Sequence, residues 1–174
     1  MDRLAHTLAR LAALAGGLVL AVLVVMTCLS ITGRAFAFAG LGPVPGDFEL
    51  VEAGIAFAVF AFLPWCILNA GHATVDIFTN GLSVQVNRLL LAFWELVMAA
   101  VMALLAWRLY EGLLGKLKNG ETTFLLQFPV WWAYAACLVP AVLGVLVALW
   151  SACDRTRALA TRRDTRAVKP EVSH

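Results

Sequence analysis

Few side chains in this 174-residue chain combine the type and spacing that chemistry requires. His72 and Asp76 stand four apart, so on a helix they share a face. That supplies two potential metal ligands, or a histidine held by a carboxylate. Two ligands fall short of a zinc site, which takes three or four from the protein, and no second HxxxD or ExxH element accompanies them. Glu95, in Phe93-Trp94-Glu95-Leu96, interrupts an apolar run where a carboxylate must be protonated, paired or within reach of water. Three readings stand: an interfacial charge with a structural partner (Arg88 lies seven residues earlier, near the same face), an interhelical or intersubunit contact, or direct handling of an ion or substrate. Arg108 and Glu111 are three apart and read as an interfacial pair able to snorkel to the headgroups.

No nucleophile, base and orienting group assemble. Ser30, Ser83 and Ser151 have no histidine nearby in sequence, and His6 and His174 are terminal. Cys28, Cys66, Cys137 and Cys153 form no CxxC pair and read as small apolar residues, neither a disulfide nor a metal framework. Nothing in the histidine set suits haem.

The elements that must position these residues are membrane spans. Hydrophobic residues make up 62% of the chain and charged ones 14%, against about 25% charge in an ordinary soluble domain. Apolar runs at about 11–33, 50–71, 89–113 and 129–152 are each long enough to cross about 30 Å of hydrocarbon as a helix. The expected fold is therefore an all-α polytopic membrane protein of four transmembrane helices, occupying 1–153, with a basic tail at 154–174. The first run exceeds the length of a secretory leader's apolar region and reads as a retained anchor. Once the spans are placed, no room is left for a soluble catalytic domain.

Charge orients the spans. Arg3, Arg10, Arg88, Arg155, Arg157, Arg162, Arg163, Arg166 and Lys169 fall on one side, and Arg34, Lys116 and Lys118 on the other. Nine against three, with an even number of spans, puts both termini in the cytoplasm. Trp94, Trp107, Trp131, Trp132 and Trp150 lie near span ends, where an amphipathic ring anchors at the headgroups. The first outward connection turns at Gly40-Leu41-Gly42-Pro43-Val44-Pro45-Gly46. Asp47 is then expected to cap the second helix, with Glu49 and Glu52 in its first turns. Capping accounts for Asp47 and Glu49, which leaves Glu52 as the acid expected to have a specific partner. A short interfacial helix is expected at 73–78. Residues 122–128 are apolar enough to dip into the interface before Pro129 opens the last helix. The tail is expected to meet anionic headgroups or to lack fixed structure. The spans hold little polarity beyond Thr27, Ser30, Thr32, Glu95 and Arg108, and so offer almost no path for a polar solute. A bundle that packs on another membrane protein fits that poverty, although lipid contact explains the same apolarity.

Several motifs in order resemble the small membrane subunit of tripartite ATP-independent periplasmic (TRAP) transporters, the DctQ-like small permease. Arg34 follows the first helix, and a Gly/Pro connection leads to Phe48-Glu49-Leu50-Val51-Glu52-Ala53. The second helix ends in Asn69-Ala70-Gly71-His72-Ala73-Thr74-Val75-Asp76. Asn119-Gly120-Glu121-Thr122-Thr123 precedes Leu126-Gln127-Phe128-Pro129-Val130-Trp131-Trp132-Ala133-Tyr134. The resemblance covers about residues 10–153. It departs at Ala53, where the family often has a second glutamate.

The resemblance implies a non-catalytic subunit in the bacterial inner membrane. Its partners would be a large multi-span permease, a periplasmic substrate-binding protein and membrane lipids, with no nucleic acid. No cofactor is implied, and sodium is expected on the large subunit. The imported solute would be an organic acid such as a C4-dicarboxylate or sialic acid. Carried onto this chain, Arg34, Glu49, Glu52, His72, Asp76, Glu95, Glu121 and Pro129 become expected structural or subunit-interface residues, with Glu52 and Arg34 joining the first two helices or meeting the binding protein. No substrate-binding, catalytic or metal residue is implied. The other readings are a membrane anchor of a respiratory complex and a stand-alone small-solute transporter acting as an oligomer.

Overall fold

The computed structural model describes residues 2–40, 42–69 and 84–161. Four long helices fill it: α1 (Asp2–Ala35), α2 (Asp47–Leu68), α3 (Val84–Asn119) and α4 (Val130–Thr161), with one 3-10 turn at Ala37–Ala39. They match the four apolar runs but outlast most of them, because charged residues just outside the hydrocarbon do not end a helix whose backbone bonds are already satisfied internally. At 1.5 Å per residue, the 22 residues of α2 cover about 33 Å and the 36 of α3 about 54 Å. Pro64 and Pro140 each remove one backbone bond inside α2 and α4, yet both helices run on through them. The expected helix at 73–78, His72, Asp76 and the tail beyond Thr161 lie outside the described residues.

The helices stand in a row, α1–α2–α4–α3. α1 packs on α2, α2 on α4 and α4 on α3, and α1 meets α4 only slightly. That slight contact closes over Ala9, Leu68 and Val147 beside Trp65 and Trp150. α2 and α4 are the inner helices of the row, and α4 is the more enclosed: 44% of its apolar window is buried, against 17% for α2 and 11% for α1 and α3.

Small residues make the contacts, as lipid-embedded helices require when no hydrophobic effect drives them together. Ala58, Ala61, Ala99, Ala141, Ala148 and Ala152 are buried. Gly16 faces Ala61, and Gly54 faces Leu23, which sets α1 antiparallel to α2. On the other side Gly112 receives Tyr134, Gly144 receives Met102, and Ser151 bonds Glu95. Stepping down ten and then seven residues on α3 steps up the same ten and seven on α4, so this pair is antiparallel with one fixed register. Pro64 also lies against Gly144, so α2, α3 and α4 converge at Pro64, Met102 and Gly144.

Outside these seams the surface is greasy. Leu18, Val22, Val24 and Leu29 on α1, with Val139 and Leu146 on α4, stand exposed. In water such an exterior would aggregate. In a bilayer it is the required surface.

Candidate functional site

Organised polarity gathers at the end of the row where α1 turns into α2 and α3 into α4. Ser30 and Arg34 are one turn apart at the end of α1, and both reach Asp47. Ser30 Oγ donates to Asp47 Oδ2 at 2.5 Å, and Arg34 Nη2 donates to the same oxygen at 2.9 Å. The Val44 amide donates to Ser30 Oγ at 3.3 Å, and the Phe48 amide to Asp47 Oδ1 at 2.8 Å. Ser30 is among the largest fully buried side chains, so these bonds satisfy a hydroxyl that would be costly to bury alone. Gly33 makes the turn compact: a Cβ there would lie 2.2 Å from the Gly42 carbonyl oxygen.

Asp47 is therefore not the N-cap that its position suggests. Gly46, at φ 74°, holds the cap position, and Asp47 is the first helical residue. Its carboxylate is occupied by α1. Arg34 correspondingly joins the first two helices through Asp47, whereas Glu52 is exposed and makes no hydrogen bond or ion pair among the described residues.

Glu49 does more than favour a helix terminus. Its Oε1 accepts from the Leu125 amide at 2.7 Å and its Oε2 from the Leu126 amide at 3.0 Å. Leu126 lies directly over Gly46, where any Cβ would meet its side chain at 2.4 Å. One carboxylate and one glycine thus seat the α3–α4 connection on the start of α2.

That connection is a folded turn. The Thr123 amide donates to the Phe128 carbonyl, the Phe128 amide to Thr123 Oγ1, and the Val130 amide to the Glu121 carbonyl. Gln127 sits in the left-handed region at φ 52° and donates from Nε2 to the Phe124 carbonyl at 3.0 Å, while Thr122 Oγ1 donates to its Oε1. At the base, Lys116 bonds Glu121, and Asn119 Nδ2 donates to the other Glu121 oxygen at 3.0 Å. The Lys116 bond first, then that of Asn119, holds the Glu121 carboxyl below its ordinary value. α4 opens at Val130, one residue past Pro129, whose carbonyl accepts from the Trp132 amide.

The remaining expected residues are scattered. Ser151 Oγ donates to Glu95 Oε2 at 3.1 Å, joining α3 to α4. Arg108 Nη1 lies 3.4 Å from Glu111 Oε2. Trp94, Trp107 and Trp132 are exposed and Trp131 and Trp150 half-buried. Trp132 stacks edge-on against Phe128 and Trp131.

Sequence reasoning missed Ser30, Gly33, Gly46, Thr123 and Leu126. A signal existed for Ser30: with Arg34 it forms an i, i+4 polar pair on the last turn of an apolar helix, facing the first acid of the next. Gly46 was legible only as part of the Gly/Pro turn, and for Gly33, Thr123 and Leu126 there was no signal, since their partners are backbone atoms or a glycine.

Glu49→Ala is expected to release the 124–126 tip while leaving the helices in place. Amide exchange at Leu125 and Leu126, followed by mass spectrometry in detergent, should accelerate about tenfold as those amides lose their acceptor. Unchanged exchange would mean that Leu126 packing alone seats the turn.

The arrangement holds the protein's own loops. Among the described residues no group of three histidine, cysteine, aspartate or glutamate side chains converges as a metal set. The class so defined is a polytopic all-α membrane protein whose connecting turns are held by its own polar side chains. The sequence also matches the family model described as tripartite ATP-independent periplasmic transporters, DctQ component, across residues 23–160. The chain belongs to that family, whose small permease subunits are non-catalytic. No curated protein and no solved structure matches it.

Proposed function

We propose that this chain is the bracing subunit of a sodium-coupled importer of an organic acid. It stabilises a large permease and assists docking of the periplasmic binding protein. The family match over residues 23–160 carries this reading. The spans support it, since their polar side chains are few and those at the seams are engaged in helix contacts, so solute and sodium are handled by the partner. The nine-to-three distribution of basic residues supports an inner-membrane orientation with both termini cytoplasmic. The Ser30–Asp47 and Glu49–loop clusters then face the periplasm. There Arg34, Glu49 and Glu121 fix the two outward turns, and exposed Glu52 is left to meet a partner.

Pull-down of the tagged protein from its native membrane in mild detergent, with mass spectrometry, tests the reading. Stoichiometric recovery of a large many-span permease is expected. Recovery of a redox complex, or of a homo-oligomer that transports solute alone after reconstitution, would overturn it. The same pull-down on Glu52→Ala, with recovery unchanged, would remove Glu52 from the partner surface.

A further inference from the structure

Lipid satisfies most of this exterior. The spans of α1 and α4 (11–33 and 129–152) contain no charged residue, and that of α2 (50–71) only Glu52, near its start. α3, at the edge of the row, presents Arg108 and Glu111 outward, their side chains 76% and 50% exposed.

Their depth follows from the helix contacts. Pro64, Met102 and Gly144 converge at one level. Asp47 stands seventeen residues from Pro64 along α2, about 25 Å of rise. Arg108 stands six residues from Met102 and Glu111 nine, about 9 and 14 Å toward the same end. Arg108 and Glu111 therefore lie about 16 and 12 Å below the level of Asp47, where the charged knot marks the start of α2. Since α2 itself just matches an about 30 Å hydrocarbon core, the pair is embedded in its outer half.

Snorkelling answers this poorly. α3 runs toward the Asp47 end, so its side chains leave the backbone tilted the other way, away from the nearer headgroups. Nor does the pair satisfy itself. A guanidinium carries five N–H donors, Glu111 takes one across 3.4 Å, and Arg108 has no other acceptor among the described residues. A charge so placed needs a partner inside the membrane.

We propose that the outer edge of α3 around Arg108 and Glu111 is where the large permease subunit docks, with a helix of that subunit presenting hydrogen-bond acceptors to the Arg108 guanidinium at this depth. The proposal rests on the bracing-subunit reading above. It assigns exposed Leu104 and Trp107 to the same edge, and Trp107 then packs on protein and does not anchor at headgroups. Gly115, with open space beside it, lets a helix approach closely one turn further on.

The test uses the intact complex in its native membrane. A photoactivated p-benzoylphenylalanine replaces Leu104 or Trp107 on α3 and, for comparison, Leu18 on α1 or Val139 on α4. Adducts to the permease are expected from the α3 positions and not from the other two. In parallel, the double variant R108L/E111L should recover less permease by about tenfold or more, the loss typical of removing a buried charge contact. Leucines suit lipid, so a pair that faced only lipid would leave recovery unchanged. Failure of the wild-type chain to bring down a permease would sink the bracing-subunit reading and this proposal with it. Three outcomes would overturn the edge assignment alone while the wild type still recovers the permease: adducts from Leu18 or Val139 only, α3 adducts that join two copies of this chain, or full recovery by the double variant.

Discussion

Gly33→Ala should destabilise the protein by about 1–3 kcal/mol, the range for forcing a group into filled space, whereas Gly17→Ala on the same helix should stabilise it by up to about 1 kcal/mol. Both substitutions add one methyl group to α1 and make the same gain in helix propensity. The difference lies in what each methyl meets. At Gly17 nothing stands within 4 Å, while at Gly33 the Gly42 carbonyl oxygen would lie 2.2 Å away and its carbon 3.1 Å away. Those are backbone atoms, so no rotamer change relieves the clash, and the α1–α2 turn must move outward. That movement also pulls Val44 from Ser30 and strains the bonds from Ser30 and Arg34 to Asp47, since all three link α1 to the same turn. Thermal unfolding in one detergent, run on both variants, should show melting temperatures displaced in opposite directions. Displacement of both in the same direction would mean that the turn is loose enough to absorb a methyl.

The four spans were legible because bilayer thickness writes itself into sequence as uncharged runs of about twenty residues. Their arrangement was not. Lipid is as apolar as leucine, so a helix facing lipid and one facing a neighbour carry the same residues, and hydrophobic periodicity does not report the buried side. What does report it is small residues at the seams, such as Gly16 with Ala61 or Gly144 with Met102, which only the paired helices reveal. Arg34 and Glu52 were legible as residues that join the first two helices or meet the binding protein. The acid that Arg34 reaches is Asp47, which the register set by Gly54 on Leu23 brings to the end of α1. Glu49 was legible as an acid at a helix start and no further, because its partners are the amides of Leu125 and Leu126. Every residue except proline has an amide, so side-chain identities carry no trace of that contact. The pair Arg108 and Glu111 could be read as neighbours from spacing alone, but its depth and exposure need the register of α3 on α4.

The convergence of α2, α3 and α4 offers the second large effect, and one that a pair of substitutions isolates. Met102 is almost fully buried, and its terminal methyl fills the space where a Cβ on Gly144 would lie, 2.5 Å away, with Pro64 behind it at 3.7 Å. Met102→Ala removes that filling and should cost about 2–5 kcal/mol, the range for emptying a packed site that relaxes only in part. Gly144→Ala places a methyl against the end of a flexible side chain, so Met102 swings aside at a cost of about 1 kcal/mol or less. If the two groups compete for one space, the double variant should lose less than the sum of the single losses, because the new methyl takes up part of the emptied volume and Met102 is no longer there to be displaced. The coupling should be about 0.5–3 kcal/mol, as for residues in direct contact. Thermal unfolding of the four proteins in one detergent completes the cycle. Strict additivity would separate Met102 from Gly144 and leave the α3–α4 register, and with it the depth of Arg108, to rest on Gly112 with Tyr134 and Ser151 with Glu95.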